Sequence, residues 1–186
     1  MSKQTLREIY NNGWDEHVAG NNDKGSVHSY IELYQELLDP YRDTALSMLE
    51  IGVAQGYSLR MWREYFHEGC DVHGIDIEKT PLVDETLSVS YGDSTIPSEW
   101  NDWGQIDVII DDGDHSSKGQ FGTARVWLPK VRPGGIYLIE DVYEFNIMYY
   151  AQLIAELNIK ANMKLHDRRD LSHREDDTVV EIRISE

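Results

Sequence analysis

"LSMLEIGVAQGYSLRMWREYF", residues 46–66, decides the fold. It opens on a short run that reads as a buried strand (46–51) and breaks at the glycine turn GVAQG. Leu59, Trp62 and Phe66 then recur at helical spacing until Gly69 closes the stretch. The same alternation continues along the chain. "DVHGIDI" (71–77) and "ETLSVSYGD" (85–93) read as the second and third strands, and "IDVIIDD" (106–112) as the fourth. Phe121, Ala124 and Leu128 carry a helix that stops at Pro129, and "IYLIED" (136–141) makes a fifth strand. Phe145, Tyr150, Leu153, Ile154 and Leu157 form a last helical stripe, before a closing strand pair in "MKLHDRRD" and "TVVEIRIS". Upstream, residues 11–25 read as irregular, and Ile31, Tyr34, Leu37 and Leu38 mark a helix ending at Asp39–Pro40.

Strands alternating with helices imply a mostly parallel sheet covered on both faces. The expected fold is α/β, a Rossmann-like three-layer sandwich with seven strands. The terminal strand–loop–strand pair predicts an antiparallel last strand at one edge. One domain, 1–186, is expected, with residues 1–44 ahead of a core sheet in 45–186. In such sheets ligands bind at the carboxyl ends of the strands. Here nearly every such end is acidic: Glu50, Asp76, Asp93, Asp111–Asp112 and Glu140–Asp141. One or two would be solvated loop charges; five in succession on one rim predict a cleft that holds something positive.

The first turn has glycines four apart and misses the dinucleotide fingerprint G-x-G-x-x-G. A pyrophosphate at that helix start would also meet Glu50, an anion beside an anion. S-adenosylmethionine suits the turn better, because its sulfonium and ammonium are positive and it has no phosphate. Gly52 and Gly56 let backbone approach such a ligand, Asp76 accepts from ribose hydroxyls, and Asp93 borders the adenine side. Ser58 either caps the helix or touches the cofactor, the cap being the plainer reading.

Methyl transfer to a hydroxyl needs help from a cation or a base. Asp112, Glu140 and Asp141 offer an oxygen-rich set that prefers magnesium over softer metals. His115, three residues past Asp112, is placed to act as general base, against the plain alternative of a helix-start residue beside a Ser116 or Ser117 cap. Asp114 is read as a turn residue. Asp23, Lys24, His28 and Tyr30 in "DKGSVHSY" either form a lid, with Lys24 or His28 reaching the cofactor's carboxylate, or are solvated beside a Ser26 cap.

Alone, E-x-G-x-x-x-G is a weak signal. Joined to GIDI (74–77), GD (92–93) and PGG (133–135), it resembles class I S-adenosylmethionine-dependent methyltransferases over residues 45–186. That resemblance implies Glu50, Gly52, Asp76, Asp93 and Asp111 as cofactor contacts. "DKGSVHSYIELYQELL", "LEIGVAQGYSLRMWREYF", "GIDI", "IDDGDH" and "GGIYLIEDVY" further resemble the magnesium-dependent macrolide sugar O-methyltransferases of the mycinamicin type. In that family the aspartate and histidine of D-G-x-H act as metal ligand and base, which implies Asp112 and His115 here, with Glu140 and Asp141 completing the metal site. Asp114 stands where the family usually has serine, and the family's large extra N-terminal region is expected to have no counterpart.

Composition narrows the partners. The 186-residue chain carries a formal charge of −17, which repels phosphate backbones and anionic bilayers, so neither nucleic acid nor membrane is expected. One cysteine, Cys70, excludes an internal disulfide. No apolar signal core or membrane-length stretch is visible, which predicts a cytoplasmic protein. The expected function is a divalent-metal-assisted O-methyltransferase acting on a hydroxyl of a sugar or glycosylated small molecule. A catechol-type acceptor, or a protein that binds S-adenosylmethionine without catalysis, is the alternative. A homo-oligomer in which a neighbour completes the pocket is compatible with the sequence.

Overall fold

A computed structural model describes residues 3–12, 22–143 and 146–186. Residues 13–21 of the stretch read as irregular, and Phe145 of the last helical stripe, lie outside the described residues. Seven strands form one sheet: β1 (Ser47–Ile51), β2 (Asp71–Asp76), β3 (Ser88–Tyr91), β4 (Ile106–Asp111), β5 (Val131–Glu140), β6 (Ala161–Asp167) and β7 (Thr178–Ile184). Their order is β3-β2-β1-β4-β5-β7-β6. The first five are parallel, and β7 runs antiparallel to both β5 and β6. The antiparallel last strand is as expected, but it is not at the edge. Val179, Val180 and Ile182 of β7 are fully buried, whereas β6 alternates between half-buried and exposed residues. The more apolar strand takes the interior place, and β6 forms the edge.

Alternation along each central strand builds two cores. Met48, Val108, Ile110, Ile136 and Leu138 face helices α1 (Leu6–Asn12), α3 (Tyr30–Leu38) and α4 (Tyr57–Tyr65). Their neighbours Leu49, Ile109, Tyr137 and Ile139 face α5 (Ser117–Trp127) and α6 (Ile147–Glu156). Helix α2 (Asp23–Ser26) precedes α3, and α7 (Arg169–Ser172) lies between β6 and β7. The result is the three-layer arrangement. The strand order reverses between β1 and β4, so the loops after these two strands diverge and leave a crevice above their carboxyl ends. Among the described residues no helix is long and apolar enough to cross a membrane.

Candidate active site

The crevice starts at Gly52. Its backbone has φ +85, and a Cβ placed there would stand 2.0 Å from the carbonyl oxygen of Asp112. Asp112 N–H in turn donates to Ile51 O at 2.8 Å. The loops after β1 and β4 therefore touch backbone to backbone, which only glycine permits. Beyond this contact opens a cavity of about 1100 Å³. Asp76 pins the glycine turn over it: the amides of Val53 (2.9 Å) and Ala54 (2.7 Å) donate to Oδ2, and that of Glu78 (2.8 Å) to Oδ1. Asp93 accepts from the amide and hydroxyl of Thr95 at 2.8 and 2.7 Å, which hold its carboxyl below the usual range.

Behind the cavity lies a buried centre of charge. Lys24 is wholly buried, and its ammonium donates to Asp112 Oδ2 at 2.6 Å and Glu140 Oε1 at 2.7 Å, with Glu50 Oε1 at 3.7 Å. Burial alone would lower the lysine pKa, but the Asp112 and Glu140 carboxylates outweigh it and hold Lys24 charged. Tyr34 also donates to Glu140, and Trp62 Nε1 donates to Glu50 Oε1 at 3.1 Å. Glu50 Oε2 is buried without a hydrogen-bond partner. Burial pushes the Glu50 carboxyl up to about 7, and burial with the nearby Asp112 charge pushes Glu140 up as well.

At the mouth of this centre Asp112, His115 and Asp141 each offer a ligand atom within 4.8 Å of the others. His115 Nε2 lies 3.1 Å from Asp112 Oδ1, and Nδ1 lies 3.4 Å from Asp141 Oδ2. The bond to Asp112, helped by the Asp141 charge, raises the imidazole pKa to about 9. Asp141 sits at φ +55, an uncommon conformation that aspartate tolerates better than most residues. Tyr30 fixes it by donating to Oδ1 at 2.6 Å, and His28, stacked on Tyr30, bridges towards Asp177 at 3.1 Å.

Residues singled out from sequence that line the cavity include the cofactor and catalytic candidates Gly52, Ser58, Asp76, Asp93, Asp112 and His115, with Asp23 of the lid candidates and the turn residue Asp114. Others do not. Asp111 is buried and takes the hydroxyl of Tyr137 at 2.7 Å, and Glu50 is sealed beneath the turn by Trp62. Gly56 starts α4 in the left-handed conformation (φ +83), packed on Leu87, so Ser58 is not the helix cap. Of the expected carboxylate trio, Glu140 is engaged by Lys24 and Tyr34, while Asp112 and Asp141 meet beside His115. Lys24 neither reaches into the cavity nor stands in solvent, and Ser26 donates to Asn22 O while the Asn22 side chain caps α2. Asp114 is the expected turn residue, accepting from Ser116 N–H and Oγ–H at 2.9 Å each, and Ser116 caps α5. Sequence reasoning missed Asn22, Ser94, Thr95 and Lys118 in the cavity wall. The polar "GDST" run, past the third strand, was the available signal for two of them.

A family model described as a methyltransferase domain matches residues 49–142. The 8-demethyl-8-alpha-L-rhamnosyl tetracenomycin-C 2'-O-methyltransferase of Streptomyces olivaceus is 36% identical, over 64% of this chain and 35% of its own length. The demethylmacrocin O-methyltransferase of Streptomyces fradiae is 34% identical over 64% of this chain and 33% of its own. The chain thus matches about a third of the length of these relatives. Among solved structures, MycE methyltransferase from the mycinamycin biosynthetic pathway, in complex with Mg, SAH and mycinamycin VI, superposes with TM-score 0.75 at 22% identity. That match covers 98% of this chain and 55% of the other. An O-methyltransferase from Bacillus cereus in complex with SAH gives TM-score 0.56 at 18% identity over 90% and 89%.

Proposed function

We propose, from the premise that this chain belongs to the methyltransferase domain family, that it moves the methyl group of S-adenosylmethionine to a hydroxyl of a sugar or glycosylated small molecule, assisted by a divalent metal ion. The observation that carries this reading is the meeting of Asp112, His115 and Asp141, the first two of which line the cavity. The sugar O-methyltransferases among its relatives support the acceptor class.

The donor set fits both groups. The cavity wall presents Asp76, Asp93 and Asp112, which suits a sulfonium and ribose hydroxyls and repels a pyrophosphate. Two carboxylates with an adjoining imidazole suit a hard cation that keeps several of its waters, as magnesium does. When bound, such an ion lowers the proton affinity of an acceptor hydroxyl and offsets the carboxylates that otherwise keep His115 protonated.

The remaining work belongs to this chain's own residues. Asp76 fixes the glycine turn that cradles the cofactor, and Asp112 and Asp141 hold positive charge at the mouth. The acceptor oxygen attacks the methyl carbon, the carbon–sulfur bond breaks with its electron pair going to sulfur, and the hydroxyl proton passes to His115. Nδ1 or Nε2 serves only when neutral. A volume of about 1100 Å³ leaves room for cofactor and part of an acceptor together.

Incubation with methyl-labelled S-adenosylmethionine and a panel of rhamnosylated and deoxysugar-bearing polyketides tests the proposal. Label should appear on a sugar oxygen, vanish on chelation and return with magnesium. Label on catechols alone would move the assignment to a phenol acceptor; binding of S-adenosylmethionine with no transfer to any acceptor class would leave a binding protein.

A further inference from the structure

Helix α6 carries a surface that neither the fold nor the proposed reaction uses. From Asn146 to Ala155 the sequence NIMYYAQLIA holds no charged residue, in a chain that is 27% charged. A surface helix ordinarily turns charged side chains outward. Here Tyr150 and Leu153 are buried, while Met148 and Tyr149 stand 79% and 55% exposed. Tyr143, just ahead of the helix, is 42% exposed. This surface adjoins the catalytic mouth. Asp141, whose Oδ2 lies 3.4 Å from His115 Nδ1, is two residues before Tyr143, a span of at most about 7 Å. Tyr143 O accepts from Asn146 N–H at 2.9 Å, and the Asn146 side-chain amide donates to Ser117 Oγ at 2.9 Å, two residues past His115. Tyr149 packs edge-on against Phe121 of α5 at 5.4 Å. The start of α6 is thereby tied to the start of α5, on the rim that carries His115. Among the described residues the cavity wall ends on α5 at Gly122 and takes in none of α6. An acceptor too large for the space beside the cofactor extends out of the cavity, and past Asp141 it meets uncharged side chains.

We infer that Tyr143, Met148 and Tyr149 form a second anchor for the acceptor, a platform on which an apolar, uncharged aglycone lies while its sugar hydroxyl meets His115. The inference deepens the reading of the acceptor as a glycosylated small molecule and rests on it for the sugar. Aromatic faces and a flexible thioether suit a flat ring system. A second copy of this chain fits the patch less well. A whole aromatic side chain buries about 150–250 Å², so three partly exposed side chains fall short of the about 800 Å² per partner in a standard protein interface. Two copies, each at a formal charge of −17, also repel one another.

Calorimetric titration of protein loaded with the demethylated cofactor and magnesium tests the platform, with a rhamnosylated aromatic polyketide and methyl α-L-rhamnoside as probes. Wild type should bind the glycosylated polyketide at least about tenfold more tightly than the simple glycoside, the gain that burying one large apolar group gives. Met148→Ser combined with Tyr149→Ser should remove most of that advantage, and Met148→Ser alone part of it. Leu46→Ser, an exposed apolar position at the opposite end of β1, should remove none. The kcat/KM ratio of the two acceptors should fall in step, whereas general damage to the fold would lower both alike. Equal affinities on wild type, or an advantage that survives the double variant, would overturn the inference. So would a dimer in sedimentation velocity that the double variant converts to monomer. Polyketide binding that the variants weaken, with no methyl transfer in any protein, would discard the reaction and keep the platform. Transfer to both acceptors at one ratio in every protein would do the reverse. Tyr149 touches Phe121, so Met148→Ser alone serves should the double variant fail to fold.

Discussion

The protonation of His115 is set by the two carboxylates between which it lies, and this gives the residue a measurable signature. Its folded pKa, about 9, lies above the ordinary value of 6.5. A raised pKa means that the folded state binds the proton more tightly than the unfolded chain, so the stabilisation is complete below about 6.5 and fades as pH rises through about 9. In chelated protein, thermal stability of wild type relative to His115→Ala should fall across that window. Parallel curves for the two proteins from pH 6 to 10 would show that the imidazole is not held by Asp112 and Asp141. In the loaded enzyme, His115→Ala should lower turnover by about 10²–10⁴-fold, the range for a lost general base, while the affinity for S-adenosylmethionine changes little. A wild-type rate would remove the base from the mechanism. The signal for His115 was local, since Asp112 stands three residues before it. The place of Lys24 was not legible, because its partners Asp112 and Glu140 lie 88 and 116 positions away.

At the scale of elements, the site depends on two loops that meet at Gly52. Alanine there must adopt φ +85 and must push against the Asp112 carbonyl at 2.0 Å. The left-handed conformation alone costs roughly 1–2 kcal/mol, and displacing the loop that carries Asp112 adds to it. Gly52→Ala should therefore lower the urea midpoint and also weaken binding of the demethylated cofactor more than the stability loss accounts for. Tight binding in a destabilised protein would mean that the loop after β1 does not shape the cavity. Short apolar runs and the glycine turns made the strands legible, because burial on both faces leaves a continuous run such as Met48–Leu49 or Val108–Ile109. The insertion of β7 between β5 and β6 was not legible. Strand order depends on which edge offers the deeper burial, and that is decided by residues far apart in the chain. The contacts of Glu140 were hidden for the same reason: its place on the rim near Asp112 was readable, but the lysine standing between them was not.

At the scale of the molecule, charge decides what the protein gathers. Thirty-four acidic residues face seventeen basic ones, and acidic groups lie inside as well as on the surface, in Glu50, Asp111, Glu140 and Asp141, with Asp112 half-buried beside them. Surface repulsion is screened by any salt, since at 0.1 M interactions beyond about 10 Å are largely lost. A site that selects a divalent ion is not mimicked by sodium. Magnesium at ten times its dissociation constant should stabilise the fold by about 1.4 kcal/mol, a rise of roughly 3–6 °C in Tm for a chain of this size, above a sodium chloride control of matched ionic strength. Asp141→Asn is the informative partner variant. Asparagine accepts the left-handed backbone that position 141 requires (φ +55), so the substitution removes charge without forcing the chain elsewhere. The magnesium increment should shrink to near zero in that variant while the sodium response stays. An increment that survives Asp141→Asn, or that sodium reproduces, would place the ion elsewhere on this acidic molecule and leave His115 facing its two carboxylates for a structural reason alone.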